Sequence, residues 1–172
     1  MQLTDERDIK ADVDTVWAAI LDPDVLKACV PGCESIAGTP QDGFEAVVVQ
    51  KVGPVKARFT GVVTLSDMVE NQSLRISGEG KGGAAGFAKG GANVTLTPSD
   101  IGTLLSYEVE ANVGGKLAQL GSRIIDGFAK KMADEFFARF QKAVEGEDAA
   151  EAVAEDATPD EKKKGWLKRL VS

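Results

Sequence analysis

The residues that ordinarily carry chemistry are scarce here, and histidine is absent from all 172 positions. Histidine is the side chain whose ordinary pKa lies nearest neutrality, so any proton transfer would fall to carboxylates. Glu79, Glu108 and Glu110 sit in segments of alternating polarity, opposite aliphatic neighbours, which turns them toward solvent. Asp67 and Glu70 fall at a turn. Glu45 is ambiguous, because Phe44, Ala46 and Val48 share one face while Val47 and Val49 share its own. No carboxylate pair converges, and no serine stands in a nucleophile elbow with a base to serve it. The sequence therefore predicts a protein without catalytic residues.

Two other patterns invite a chemical reading. Cys29-Val30-Pro31-Gly32-Cys33 has one residue too many for a redox dithiol and no third soft ligand nearby, so it reads as two thiols around a Pro-Gly turn, with no metal. Gly78, Gly80 and Gly83 match G-x-G-x-x-G, but a nucleotide fingerprint needs a helix to open on its third glycine. Ala84 to Gly91 is instead another glycine-rich, strand-like stretch. Glycine on an inward face either allows close backbone approach or leaves room for something that is not protein. The net charge of −7 excludes general nucleic-acid binding, which needs a basic face.

These residues must be positioned by a recognisable series of elements. Residues 2–11 read as an edge strand. Val13, Val16, Trp17, Ile20 and Leu21 then share one helical face, with Asp12 or Asp14 as cap. Asp22-Pro23 opens a second short helix running to about Cys29. From 33 to 113 the period becomes two, with turns near 38–43, 52–54, 70–72 and 98–100, which predicts six strands in meander order. Val55, Ala57, Phe59, Gly61, Val63 and Leu65 form one dry row, Leu74, Ile76, Gly78 and Gly80 a second, and Leu105, Tyr107, Val109, Ala111 and Val113 a third. A long helix is predicted from about Lys116 to Val144, with Leu117, Leu120, Ile124, Phe128, Met132, Phe136 and Phe140 along one stripe. The resulting class is α+β: a curved antiparallel sheet of about seven strands, two short helices and a long C-terminal helix that encloses a cavity, the helix-grip architecture.

Residues 1–144 thus form the ligand-binding domain. Residues 145–161 carry eight acidic side chains and nothing apolar larger than valine, and read as a flexible linker. The sign reverses at 162–172. Lys162, Lys163, Lys164, Lys168 and Arg169 accompany Trp166, Leu167, Leu170 and Val171 on one helical arc, a pattern suited to weak, reversible contact with an anionic membrane surface or a partner protein. The opening residues hold no apolar leader and no 18 apolar residues run together, so the expected location is cytoplasmic, peripheral to the inner face of the membrane.

The run from Val52 to Gly61, the run from Gly114 to Arg123, Trp17, Asp22-Pro23 and the cysteine segment continued to Glu34 resemble the carbon monoxide dehydrogenase CoxG family over about residues 1–144. The resemblance implies a branch of the START-like, Bet v 1-like helix-grip superfamily. It also implies a partner, a molybdenum hydroxylase of the carbon monoxide dehydrogenase type, to which members are accessory rather than catalytic. Such an enzyme must pass electrons to acceptors in the membrane, and a quinone is an apolar ring with a lipid tail.

Resemblance and residues together lead to an accessory protein with no covalent cofactor. It binds a quinone (menaquinone or ubiquinone) or another apolar lipid and links the dehydrogenase to the respiratory membrane. The alternatives are an adaptor with a filled core and a cyclase- or hydrolase-like enzyme on the same fold. The expected ligand-contacting residues are Phe59, Leu65, Leu74, Ile76, Gly78, Gly80, Phe87, Tyr107, Val109, Ala111, Leu120, Ile124 and Phe128, with residues 82–91 as a loop at the mouth and Tyr107 as the one inward hydroxyl. The isolated protein is expected to turn over neither aromatic polyketides nor esters. A robust rate abolished by one carboxylate-to-amide change would establish the enzyme reading instead.

Overall fold

Asp12 ends the first strand and begins the first helix, because its carboxylate accepts the Thr15 backbone N–H at 2.9 Å. That bond holds the Asp12 carboxyl below its ordinary pKa. Asp22 repeats the device for the second helix, accepting from Asp24 N at 2.9 Å with Pro23 at the first helical position. In the computed structural model these elements are β1 (Gln2–Ile9), α1 (Val13–Ile20) and α2 (Pro23–Cys29). Six strands follow: β2 (Cys33–Thr39), β3 (Gly43–Val52), β4 (Val55–Val69), β5 (Ser73–Lys81), β6 (Phe87–Ser99) and β7 (Gly102–Gly114). One 3-10 turn, Gly83–Ala85, joins β5 to β6. The structure describes the backbone of residues 1–151 and the side chains of residues 1–146. Most of the expected acidic linker, and all of the expected tether with Lys162–Lys164 and Trp166–Val171, lie outside the described residues.

The strands form one antiparallel sheet in the order β1-β7-β6-β5-β4-β3-β2, so the chain's first strand closes against its last. The expected single helix from 116 is two, α3 (Lys116–Gln119) and α4 (Ser122–Glu151). Gly121 adopts φ +90° between them, a conformation that ends a helix at little cost only for glycine. Gly146, at φ 78°, interrupts α4 in the same way.

The packed core occupies one end of the sheet. Val16, Trp17 and Ile20 of α1 meet Leu74, Val94, Leu96, Leu105 and Tyr107 of the sheet and Phe140 of α4. Phe137, outside the stripe read from the sequence, stacks on Tyr107 at 4.8 Å between ring centroids and meets Phe136 edge-on at 4.9 Å. The buried face of α4 is therefore Ala133, Phe136, Phe137, Phe140 and Val144, a three- and four-residue rhythm displaced from the predicted one.

Strand β1 also sends Arg7 inward. Its guanidinium donates to Asp134 of α4 at 2.7 Å, lies 3.6 Å from Asp5, and sits 5.4 Å from the Phe137 ring centroid. Burial disfavours the Arg7 charge, but hydrogen bonds to Tyr107 and Asp134 outweigh it and raise its pKa. Arg7 Nε is buried without a partner among the described residues. Gln141 donates to the Asp8 carbonyl at 3.1 Å and Glu145 accepts from Lys10 N at 3.0 Å, so the second half of α4 is strapped along β1.

The Asp134 carboxyl is held below its ordinary value of 3.8 by hydrogen bonds first from Arg7 and then from Lys130. A depressed carboxylate pKa contributes stability above the unfolded-state value and loses it as pH falls through the folded-state value. Asp134→Asn should therefore lower the melting temperature at neutral pH and weaken the acid-induced loss below the ordinary carboxylate range. Thermal melts of both proteins across acid pH check this, and parallel acid limbs would show that the pair contributes nothing.

Candidate functional site

In register, the dry face of the sheet reads as rows running across the strands. At the core end Leu96 pairs with Leu105, the next row joins Leu74, Val94 and Tyr107, and the one after it Leu65, Ile76, Ala92 and Val109. Beyond these the side chains shrink. Val63, Gly78, Gly90 and Ala111 form one row, bounded on β3 by buried Phe44, and Ala46, Gly61, Gly80 and Ala88 the next. Volume is thus withdrawn from one end of the sheet, strand by strand, and the space left is a groove of about 360 Å³. Glycine and alanine make its floor. Val48 and Phe59 wall it on one side, Ile76 and Val109 on the core side. The Phe59 ring leans over Gly82, where a Cβ would lie 2.5 Å from it, and so closes the groove toward the β5–β6 turn.

The floor glycines are of two kinds. A Cβ on Gly90 would collide with the Glu110 carbonyl oxygen, so close backbone approach demands glycine there. On Gly78 the nearest atoms would be 3.6 Å away and on Gly80 3.8 Å, ordinary contact distances, and neither glycine has a positive φ. Nothing in the backbone requires glycine at 78 or 80, and the groove is open because those side chains are missing.

The groove holds six of the thirteen expected residues: Phe59, Ile76, Gly78, Gly80, Val109 and Ala111. Leu65, Leu74 and Tyr107 belong to the packed core or lie against it, Tyr107 being only 3% exposed. They share the inward face, but they sit in rows that α1 and α4 fill. Phe87 is outward and 42% exposed, because β6 turns its even-numbered residues inward. Its ring covers Gly114. Residues 87–91 are strand rather than mouth loop.

The helix positions also need correction. Leu120 and Ile124 lie near Gly53 at the β3–β4 turn, Ile124 remains 42% exposed, and half-buried Phe128 is not a wall. Among the described residues no side chain of α4 lines the groove, so it is open above the sheet rather than enclosed by the helix. The helix lies elsewhere because Arg7 and the phenylalanine cluster hold it to the core end.

Sequence reading missed Ala46, Val48, Ala88, Gly90 and Ala92 as lining residues, though their even parity on β3 and β6 continues the same alternation. It also missed inward-facing Asp5 and Arg7. The groove offers apolar contact and shape. Glu79, Lys89 and Glu110 border it, but on strands whose alternation sends their side chains outward, Glu110 to Arg75 at 2.9 Å. A second cleft of about 480 Å³ lies behind the same glycines on the wet face, among Arg75, Glu79, Lys89 and Glu110. Its charged lining does not suit an apolar ligand. Among the described residues no three Cys, Asp or Glu side chains cluster to hold a metal, and no helix is long and apolar enough to cross a membrane. Burial raises both thiol pKa values, which makes Cys29 and Cys33 less reactive.

The fold is shared widely. A conserved protein from Geobacillus kaustophilus is 29% identical, with a TM-score of 0.78 over 84% of this chain and 95% of its own. A START superfamily protein from Mycobacterium smegmatis has a TM-score of 0.64 at 14% identity over 84% and 97%, a likeness of fold alone. A protein from Thermus thermophilus is alike at 0.64 and 16% over the same shares. A search of curated proteins found no match. The family model for the carbon monoxide dehydrogenase protein CoxG matches residues 6–145.

The two kinds of glycine should separate in measurement. Gly78→Ala and Gly80→Ala should raise unfolding stability by about 0.4–1 kcal/mol, since each reduces unfolded-state freedom without a clash. Gly90→Ala should lower it by about 1–3 kcal/mol through backbone displacement. Urea denaturation of the three variants reads both, and equal losses in all three would mean that the space above Gly78 and Gly80 is not open.

Proposed function

We propose a function on the premise that the chain belongs to the carbon monoxide dehydrogenase CoxG family: it is a non-catalytic accessory protein that carries an apolar lipid or quinone for a dehydrogenase of this kind. One observation carries the reading. The groove is walled by aliphatic and aromatic side chains, and two of its glycines keep it open without any backbone need for them. An aromatic head buries roughly 150–250 Å², worth about 4–6 kcal/mol at 25 cal/mol per Å². Each further CH₂ adds about 0.8 kcal/mol. A space of 360 Å³ is at the small end for ligand pockets, so it grips a ring or one stretch of a chain while the remainder lies along the open side. Partial grip suits a carrier, which must release its load at the membrane and to the enzyme.

Tyr107 has no part in this reading, because its ring is stacked on Phe137 and buried in the core. Phe59, Ile76 and Val109 supply the contact surface. The basic segment 162–172, with Trp166 and Leu167, would bring the carrier to an anionic surface.

Organic extraction of the purified protein, followed by mass spectrometry, should yield a stoichiometric apolar molecule. Gly80→Phe and Ala111→Trp should abolish its recovery at a stability cost under about 1 kcal/mol, because the added rings enter open space. In a filled core the same changes overpack at about 1–3 kcal/mol or more. A large loss of stability in these variants, with nothing extracted from the unmodified protein, would favour the adaptor.

A further inference from the structure

Alternate turns of an antiparallel meander fall at alternate ends, and this sheet sorts its charge by end. The turns β2–β3, β4–β5 and β6–β7 and the close of β1 carry Asp42, Glu70, Asp100 and Asp8. At the other end are the β3–β4 tip, the β5–β6 turn and α3 with the start of α4. These carry Lys51, Lys56, Lys81, Lys116 and Arg123, all exposed. Among the described residues none of the five has an acidic partner within salt-bridge distance. Glu79 and Asp126 are the acidic residues nearest them in sequence. A chain with a net charge of −7 therefore has one basic pole.

We infer that this pole is a docking surface of the folded domain for an anionic lipid membrane, acting independently of the tail. Three observations carry it. Lys51 and Lys56 stand directly opposite each other across β3 and β4, a like-charge pair that weakens the sheet. Ile124 and Phe87, each 42% exposed, lie at the same end with Pro54, which gives the pole the mixture of cations and apolar groups that partitions into a lipid interface. The first turn of α4 contains no acidic residue, so its helix dipole adds positive potential there.

The chain's own acidic residues are poorly placed to neutralise the pole. The strands separate the two ends by roughly 40 Å, several Debye lengths at physiological salt. The acidic segment follows Glu145, which α4 carries roughly 33 Å from Arg123. Lipid is favoured over an acidic protein because exposed apolar groups, Ile124 and Phe87, stand among the cations. The inference goes beyond the carrier reading and does not rest on it.

The test uses the full chain and phosphatidylcholine vesicles with and without phosphatidylglycerol, read by flotation at several salt concentrations. The variants are K51E/K116E/R123E, the tail reversal K162E/K163E/K164E/K168E/R169E, and the two combined. K51E turns the repulsive pair with Lys56 into an attractive one, which protects the fold, and K51Q/K116Q/R123Q is a milder second version. With the tail intact, the pole reversal should cut partition to the anionic vesicles at least about tenfold with a melting temperature no lower than that of the unmodified protein. The tail reversal should keep a residual preference for phosphatidylglycerol that disappears in the combined variant. Wild-type partition by both pole variants overturns the inference, as does a loss confined to binding of an acidic protein. Flotation requires no cargo, so failure to extract an apolar molecule would remove the carrier reading and leave this result readable.

Discussion

The structure depends on the register of a seven-stranded antiparallel sheet whose two edges are its first two strands. Register fixes which residues share a row, and because side chains alternate, one residue of slippage would exchange the dry and wet faces. Here the dry rows change in bulk from Leu74, Val94 and Tyr107 at one end to Ala46, Gly61, Gly80 and Ala88 at the other. Hydrophobic burial follows bulk, so α1 and the phenylalanines of α4 condense on the first set. The second set offers too little surface to hold a helix. Core and groove are two consequences of one gradient.

Helix α4 serves the two ends differently. Over its second half it is fixed by Phe136, Phe137 and Phe140, by Arg7 against Asp134, and by bonds from Gln141 and Glu145 to β1. Its first turns lie near Gly53 and leave Ile124 half exposed. The ion pair is partly solvated, Asp134 keeping 47% of its side-chain exposure, so its role is more registry than bulk stabilisation. It specifies where along β1 the helix lies. Had the helix shifted toward the small rows, the stacking of Phe137 on Tyr107 would be lost and the groove would be roofed.

Much of this was legible in the sequence. Asp12 and Asp22-Pro23 marked both short helices because capping is local chemistry, and the alternation of β4, β5 and β7 marked the dry face because pleating has a fixed period. The break in the long helix was less visible, since Gly121 signals it only through its φ of +90°. Tyr107 and Ile76 have the same inward sign and sit on the same face. Only the pairing of strands shows that one belongs to the core and the other to the groove. Arg7 and Asp5 were missed for a related reason. Polar residues on an edge strand read as solvated, and their partner, Asp134, lies 127 residues away from Arg7.

Charge and volume are arranged along one axis, which constrains any account of the molecule. If the small rows were merely a poorly filled core, there would be no reason for the cations to collect at that end and the carboxylates at the other. If the basic pole were only a solubility device, directly opposed lysines would be a costly way to obtain it, since charges placed out of register would serve equally well. An apolar groove beside the β3–β4 and β5–β6 turns, cations around those turns, and two exposed apolar side chains among them have one common physical requirement, an environment that is anionic at its surface and apolar beneath. An acidic protein surface meets the first condition alone. A bilayer meets both, and the sheet's gradient of side-chain size would then leave the apolar groove in the half of the sheet nearer the charges that find the membrane.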